Sequence, residues 1–535
     1  MRRVSAAVLK GWIAEAAAGG PELAILDARE EGEFGRSHLF WANPCGLSRA
    51  ELRVPQILPR RGVRACCTDG GEGYAERLAA ILEGAGYPDM SVLEGGTPGW
   101  VAAGHVAFSG VNVPSKAFGE WVEHRYATPS VDPGELRAMV EGGEDLVILD
   151  SRPMEEFRRM SIPGGVNVPG GELVYRVGAL APRPGTTIVV NCAGRTRSIM
   201  GAESLRSAGV PNRVVALRNG TMGWELAGLR CERGRGETYP DGAPAGAATA
   251  LERARAFADR HGVREVDAAG LAAMRADDSR TTYLLDVRSP GEFAAGHLPG
   301  SLSAPGGQLV QATDAWVAVR GARVVLVDDA AFGGGRDGVR ARMAGGWLRQ
   351  LGGWEVYVLT EAGGAAPEAG AAAAPLPEAD AVAVRAVAPG ALPAGAVVVD
   401  LARSVAFRDG HAPGALWGIR TRLDRLAGRL RDARVVAVTA PDDRLARLAV
   451  PELRGIAPGA EVVVVPGGAA AWAAAGIALT ADRRHPEDAD CADFYLRPYD
   501  RNDGVEAAMR EYLSWEVDLV HEVARDGDAR FGEAA

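Results

Sequence analysis

One cysteine, followed closely by a glycine and two arginines, is the part of this sequence best suited to chemistry. The stretch NCAGRTRSIMG, residues 191–201, places Cys192 between an apolar run and the start of a predicted helix. Backbone N–H groups and the positive end of a helix dipole converge at such a junction, and both favour a thiolate. Gly194 permits a tight turn, and Arg195 and Arg197 add positive charge that can hold an anionic substrate. The pattern predicts a nucleophilic Cys192 of lowered pKa at the base of an anion-binding loop.

The elements that must position this loop are a strand over 187–191 and a helix over 198–208. Short apolar strands alternate with amphipathic helices throughout the chain, which indicates parallel sheets covered on both faces. Ligand sites in such sheets lie beyond the carboxyl ends of the strands, where Cys192 is expected. The fold class is therefore predicted to be α/β.

One phrase occurs four times along the chain: a buried strand that ends in Asp, with Arg and then Phe shortly after it. The copies are LAILDAREEGEF, LVILDSRPMEEF, TYLLDVRSPGEF and AVVVDLARSVAF, which contain Asp27, Asp150, Asp286 and Asp400. Three copies close with a glycine turn that leads to Trp100, Trp224 or Trp472, and the third copy lacks this closure. The spacing of the copies suits one small α/β domain each.

The sequence predicts four tandem domains, each a mostly parallel sheet flanked by helices, and a C-terminal helical arm. Stretches rich in Gly, Ala and Pro at 232–250 and 361–380 serve as linkers. The arm contains several aromatic residues and a predicted helix over 504–524, so it is expected to pack on another domain. The predicted boundaries are 1–110, 111–231, 250–362, 381–480 and, for the arm, 481–535.

Composition excludes several classes of function. The 535 residues include 59 basic and 69 acidic side chains with no basic stripe, which argues against nucleic-acid binding. Lys10 and Lys116 are the only lysines. No run approaches the roughly 18 apolar residues of a membrane helix. The pattern of the N-terminal stretch predicts an amphipathic helix rather than a signal sequence. We expect a cytoplasmic protein that binds neither membranes nor nucleic acid.

The remaining cysteines show neither a disulfide framework nor the spacing of a metal site. Cys66 and Cys67 lie within an apolar strand and are expected in the core, while Cys45, Cys231 and Cys491 have no supporting residues around them. Free thiols indicate a reducing compartment. No metal and no cofactor is predicted.

These motifs resemble those of the rhodanese-type sulfurtransferases. The family loop is Cys-x-Gly-x-x-Arg, which residues 192–197 match, and the strand-Asp-x-Arg phrase, the IPGGVNVP turn and the Gly-Trp closure are similar to the family as well. The resemblance covers residues 1 to about 480. It implies transfer of sulfane sulfur from a small anionic donor such as thiosulfate to cyanide, a thiol or a protein acceptor, through a Cys192 persulfide. The implied substrate-binding residues are Ala193, Gly194, Arg195, Thr196, Arg197 and Ser198.

Only the second copy contains the family cysteine. Matching strand ends places Asp69, Asp329 and Ala440 at the Cys192 position of the first, third and fourth copies, so these copies are predicted to be inactive. Asp150 and Arg152 are expected to bond within the fold, since their counterparts recur in copies that lack the cysteine. Glu172, Leu173 and Tyr175 are candidates for the mouth of the pocket.

Two other functions are compatible with the sequence. A cysteine-dependent phosphatase needs five residues between Cys and Arg, but only four separate Cys192 from Arg197. Alternatively, Cys192 accepts a persulfide from a docked enzyme of sulfur metabolism, and the chain is then a relay or scaffold protein. Assays with thiosulfate and p-nitrophenyl phosphate, together with a search for bound partners, separate these alternatives.

Overall fold

The computed structural model describes residues 1–332, 338–364, 366–370 and 376–532. Within these residues the strands form four sheets that follow one another along the chain, and helices flank each sheet. Every strand pairing inside a predicted domain is parallel. The structure confirms an α/β fold of mostly parallel sheets flanked by helices.

The first three sheets share one spatial order, in which the strand that ends in Asp is fourth. The first sheet runs Arg2–Val4, Met90–Leu93, Arg64–Thr68, Leu23–Asp27 and Ala42–Pro44. The second runs Ser130–Val131, Val214–Leu217, Thr187–Asn191, Leu146–Asp150 and Gly165–Asn167. The third runs Arg264–Val266, Glu355–Leu359, Arg323–Val327, Thr282–Asp286 and Leu302–Ser303. The fourth keeps the order without the first strand: Glu461–Val465, Val435–Thr439, Val397–Asp400 and Leu416–Trp417.

The α-helices cover the sheets and extend into the arm, and none of those in the described ranges is both long and apolar enough to cross a membrane. Those of the first domain and the helix that follows it are Ala6–Ala17, Glu31–Phe34, Ala50–Ile57, Tyr74–Gly84, Gly96–Ala102 and Val113–Tyr126. The second domain continues with Pro133–Glu141, Met154–Arg159, Leu173–Leu180, Thr196–Ser207 and Gly220–Leu226. The third region has Ala247–Arg260, Ala268–Ala276, Pro290–Ala295, Gly306–Gln311 and Val339–Leu351. The remainder are Pro377–Asp380, Ser404–Asp409, Ala427–Leu430, Asp443–Leu448, Val450–Ile456, Gly468–Ala474 and Val505–Asp526.

Parts of three predicted segments lie outside the described residues. These are 333–337 in the third domain, 365 and 371–375 in the linker 361–380, and 533–535 in the arm.

The register of the sheets identifies the counterpart of Cys192 in each domain. In the second domain Asp150 pairs with Asn191, so Cys192 is the first residue after the strand. The same pairing joins Asp27 to Thr68, Asp286 to Val327 and Asp400 to Thr439. The residues that follow are Asp69, Asp328 and Ala440.

Asp328, in the third domain, corrects the expectation from the sequence, which was Asp329. Two aspartates follow each other at this strand end, and the sequence pattern alone does not show which of them begins the loop. The pairing of Asp286 with Val327 makes Asp328 the counterpart of Cys192.

The domains pack into one another. The short strand Val319–Arg320 of the third domain pairs antiparallel with Leu23–Asp27 of the first, which extends the first sheet. A single apolar core cluster contains buried residues from the first three domains together with Leu519 and Val523 of the arm, whereas the fourth domain has separate clusters. Burial of this apolar area stabilises the assembly of the domains as well as each domain.

The Asp-x-Arg phrase stabilises the fold from inside the second domain. Arg152 donates from Nε and Nη2 to the carboxylate of Asp150, at 2.9 and 2.7 Å, and Asn191 Nδ2 donates to the same carboxylate at 2.8 Å. Asp150 and Arg152 are both buried. Buried charges need such partners, and the first and third copies form the same pair, whereas in the fourth copy Arg403 pairs with Glu31 and not with Asp400.

Candidate active site

The loop that carries Cys192 is fixed from two sides. The strand Thr187–Asn191 ends directly before Cys192, and the helix Thr196–Ser207 begins two residues earlier than predicted. Thr221 N donates to the carbonyl oxygen of Cys192 at 2.9 Å. Gly220 has φ +54°, and a Cβ there would lie 2.3 Å from that oxygen. Gly220, the first glycine of the turn that leads to Trp224, is therefore required, because a side chain at this position would clash with the loop.

The thiol of Cys192 is buried, with a residue exposure of 1%. Its Sγ lies 3.5 Å from Ser198 Oγ and 3.8 Å from the carbonyl oxygen of Arg195. Burial raises the pKa of the Cys192 thiol above its ordinary value, although the Arg197 guanidinium and hydrogen bonds from Ser198 lower it. The prediction of a lowered pKa was wrong, because the loss of solvation outweighs the stabilisation of the thiolate.

Both loop arginines are already paired with carboxylates. Arg195 donates from Nε and Nη2 to Glu120, at 2.8 and 2.7 Å, and also pairs with Glu123. Arg197 donates from Nη1 and Nη2 to Glu156, at 2.8 and 2.7 Å. Each guanidinium forms a two-pronged ion pair that orients the loop, and both residues line the cavity described below, so their contact with an anionic substrate stays a prediction.

The ion pair of Arg197 has a clear effect on its partner. Burial raises the pKa of Glu156, but Arg197 and, more weakly, Arg497 oppose it, and the result is a pKa lowered to about 2. Glu156 is therefore ionised at neutral pH. It cancels much of the charge that Arg197 would otherwise offer to an anion in the loop.

The C-terminal arm covers the loop. A Cβ at Gly194 would lie 3.3 Å from Tyr512 Cε1 and 3.4 Å from Glu516 Oε2, both on the helix Val505–Asp526. Glu516 is buried, and its Oε1 accepts hydrogen bonds from the backbone N–H and the hydroxyl of Thr196. Its Oε2 has no hydrogen-bond partner among the described residues.

A cavity of about 420 Å³ opens at the loop. Residues 192–197 line it, and they include five of the six residues predicted to bind substrate. The sixth, Ser198, contacts the thiol of Cys192 but does not line the cavity. The second, third and fourth domains and the arm all contribute to its wall, with Gln308, Gln311, Val405, Phe494 and Arg497 among the residues from outside the second domain. The wall of the cavity is therefore formed by residues that are far apart in the sequence.

Known proteins match parts of this chain and its whole length. A family model described as "Rhodanese-like domain" matches residues 132–227 and 267–362. A crystal structure of a thiosulfate sulfurtransferase from Pseudomonas aeruginosa is 44% identical, covers 100% of both chains and superposes with a TM-score of 0.90. The chain belongs to the rhodanese family.

Two curated proteins are also similar to parts of this rhodanese-family chain. A helix-turn-helix-type transcriptional regulator of Mycobacterium tuberculosis is 27% identical over 230 residues, which are 42% of this chain and 89% of that protein. A candidate sulfur carrier protein of Bacillus subtilis is 29% identical over 102 residues, which are 19% of this chain and 54% of that protein.

In the first and third sheets, a carboxylate stands at the strand end that corresponds to Cys192. Asp69 accepts hydrogen bonds from Gly71 N at 2.9 Å and Ala75 N at 3.0 Å. Asp328 accepts from Ala341 N at 3.1 Å and from Arg340 Nε at 2.9 Å. At the start of each of these helices, one backbone N–H thus donates to an anion that belongs to the chain itself.

Sequence reasoning missed the carboxylates that surround the loop. Glu120 lies on the helix Val113–Tyr126 and Glu516 on the arm, and neither belongs to a motif; Glu156 lies in the repeated phrase LVILDSRPMEEF, but nothing in the sequence shows that it meets Arg197. The available signal was the aromatic arm, which was expected to pack on another domain. Glu172, a candidate for the pocket mouth, instead pairs with Arg340 at 2.8 Å across the contact with the third domain.

Proposed function

We propose that this chain is an enzyme that transfers sulfane sulfur from thiosulfate to cyanide or a thiol through a persulfide on Cys192. The observation that carries the proposal is the position of Cys192 at the base of a cavity of about 420 Å³, on a loop held at a helix N-terminus. The full-length similarity to a protein named thiosulfate sulfurtransferase supports this class of reaction.

The proposed reaction has two halves. In the first, the thiolate of Cys192 attacks the outer sulfur of thiosulfate, a new S–S bond forms, and the S–S bond of the donor breaks with its electron pair leaving on sulfite. In the second, cyanide or a thiolate attacks the outer sulfur of the persulfide, and the Cys192 thiolate is regenerated. Ser198, 3.5 Å from Sγ, and the nearby Arg197 stabilise the anionic sulfur in both halves.

We further propose that the second domain, 111–231, is the active one and that the domains at 1–110, 250–362 and 381–480 are catalytically silent. Of the four residues at the loop position, only Cys192 has a thiol. The carboxylates of Asp69 and Asp328 already accept from the backbone N–H groups of Gly71 and Ala75 and of Ala341, and they would repel an anionic donor. The third and fourth domains and the arm at 481–535 then act as walls of the cavity.

The alternatives make different demands on the loop. A relay protein must present Cys192 to a partner, whereas Cys192 is only 1% exposed and lies under the arm, which favours small substrates. A phosphatase needs an arginine whose guanidinium donates to the phosphoryl group. In this loop, Nη1 and Nη2 of Arg197 both donate to Glu156 instead.

We expect the purified protein to form thiocyanate from thiosulfate and cyanide and to leave p-nitrophenyl phosphate uncleaved. Steady-state assays with the two substrates at matched enzyme concentration measure this directly. Turnover of the phosphate ester without thiocyanate formation would replace the proposal with the phosphatase function. Absence of both activities, together with a partner protein that co-purifies in a fixed ratio, would favour the relay.

A further inference from the structure

The cavity above Cys192 needs positive charge that the loop does not supply. Thiosulfate carries two negative charges, and so does the sulfite that leaves at the end of the first half of the reaction. Arg195 and Arg197 are each paired with carboxylates, as described above. An anionic donor therefore has to be attracted by other groups that line the cavity.

Lys116 is the first such group. It lies on the helix Val113–Tyr126, is 5% exposed and lines the cavity. Its Nζ lies 4.9 Å from the ring centroid of Tyr512 and 4.7 Å from that of Trp515. Within the described part of the chain, these two rings are the contacts of the ammonium, which forms no hydrogen bond and no ion pair within 4.0 Å. A buried ammonium that lacks an anionic partner and faces a cavity is suited to bind an anion there.

Arg497 is the second group. It precedes the turn Pro498–Asp500 in the arm, lines the same cavity, and its side chain is 44% exposed. Its nearest ion-pair contact, from Nη1 to Glu156 Oε1, is 3.9 Å long, and Arg197 already donates to that carboxylate oxygen at 2.8 Å. Arg497 therefore keeps donors free at the side of the cavity that faces solvent.

The two cations affect each other electrostatically. Burial lowers the pKa of Lys116 to about 8, Arg497 and Arg197 also lower it, and Glu516 and Asp314 raise it. Two positive groups that repel each other across a cavity are stabilised when an anion enters between them. The carboxylate of Glu516 lines the same cavity: its Oε1 accepts from the Thr196 N–H and hydroxyl, whereas its Oε2 has no hydrogen-bond partner among the described residues and offsets part of the charge of Lys116.

We propose that Lys116 and Arg497 form an anion subsite that binds the sulfonate end of the sulfur donor and the sulfite that leaves from it. This inference rests on the proposed function and specifies its donor as an oxyanion. In the step concerned, the Cys192 thiolate bonds to the sulfane sulfur, the donor S–S bond breaks, and the electron pair leaves on sulfite. The subsite then holds the group on which two negative charges collect. It acts in the first half of the reaction and not in the second.

Kinetics separate the two halves. We expect Lys116→Met and Arg497→Gln each to lower kcat/KM for thiosulfate by about tenfold to a hundredfold, the range of a lost hydrogen bond to a charged group. We expect kcat/KM for cyanide to stay unchanged, because in a double-displacement mechanism it reports only on the persulfide enzyme. The loss should be smaller for methanethiosulfonate, which carries one negative charge. Arg510→Gln is the control, since Arg510 lies on the same arm in an exposed pair with Glu506.

The pH dependence gives a second readout. Since the pKa of Lys116 is about 8, the ammonium loses its proton above that pH, and the wild-type KM for thiosulfate should rise there. Lys116→Met should show a high KM without this rise, and Lys116→Arg should restore a low KM. The groups that face Lys116 and enter this titration are Glu516, Asp314, Arg497 and Arg197, together with Tyr512, whose pKa burial raises.

Binding tests the subsite even without turnover. In Cys192→Ser, sulfite should bind in calorimetry, and adding Arg497→Gln or Lys116→Met should weaken its Kd about tenfold or more. If wild-type enzyme turns over no thiosulfate but this pattern holds, the subsite stands and the proposed function fails. If turnover is normal while both variants keep the wild-type kcat/KM for thiosulfate, or if Cys192→Ser binds no sulfite, the subsite is refuted. Arg497 is partly exposed, so its variant decides the outcome should Lys116→Met fail to fold.

Discussion

Cys192→Ser is expected to lower thiosulfate-dependent thiocyanate formation by about a thousandfold or more, the size of effect seen when a nucleophile is removed from a covalent mechanism. A serine hydroxyl at this position has nearly the same shape, but its oxygen cannot accept and return a sulfane sulfur. The measurement is the steady-state rate of thiocyanate formation by the full-length variant. Near-ultraviolet and far-ultraviolet circular dichroism of the same sample establish that the fold is intact.

Cys231→Ser provides the matched control. Cys231 is a free cysteine of the same domain, is partly buried, and does not line the cavity above the loop. We expect this variant to keep the wild-type rate. If Cys192→Ser retained its turnover while Cys231→Ser lost it, the nucleophile would have been assigned to the wrong thiol, and the loop would have only a structural role.

The second large effect is expected from Arg197→Gln. Burial already raises the pKa of the Cys192 thiol, and Arg197 is the largest influence that opposes this rise. Without the cation, the thiol pKa rises further, so the thiolate fraction falls about tenfold per pKa unit at any pH below the pKa. We expect activity at pH 7 to fall by about tenfold to a hundredfold, since a change of one to two units is typical of a lost neighbouring charge.

The pH dependence of alkylation by iodoacetamide measures this effect at the thiol itself. The midpoint for modification of Cys192 should move to higher pH in Arg197→Gln and return towards the wild-type value in Arg197→Lys, which keeps the charge. Arg218→Gln controls for the removal of an arginine from this domain, because Arg218 pairs with Asp132 at the surface. An unchanged midpoint in Arg197→Gln would mean that this guanidinium serves only to hold Glu156.

Much of the fold could be predicted because the information is local. A buried strand that ends in Asp, a Gly turn and a Trp recur along the chain, and the strand predicted at 187–191 is observed at Thr187–Asn191. The arm helix predicted over 504–524 is observed at Val505–Asp526 and does pack on other domains. Hydrophobic period and turn residues determine such elements over a few residues.

The chemistry of the site could not be predicted in the same way, because it depends on contacts between distant residues. Arg195 meets Glu120, which is 75 positions away, and Thr196 meets Glu516 after 320 positions. The sequence shows two arginines beside a cysteine but not the carboxylates that neutralise them. Nor does it show that the arm covers the loop, and this burial reverses the direction of the thiol pKa shift.

The most direct test of the account is to expose the wild-type protein to thiosulfate without an acceptor and to measure its intact mass. We predict the addition of one sulfur atom per chain, mapped by proteolysis under non-reducing conditions to the peptide that contains Cys192 and removed again by cyanide. No added sulfur, or sulfur located on Cys45, Cys66, Cys67, Cys231 or Cys491 instead, would contradict the assignment of Cys192 as the sulfur carrier of this chain.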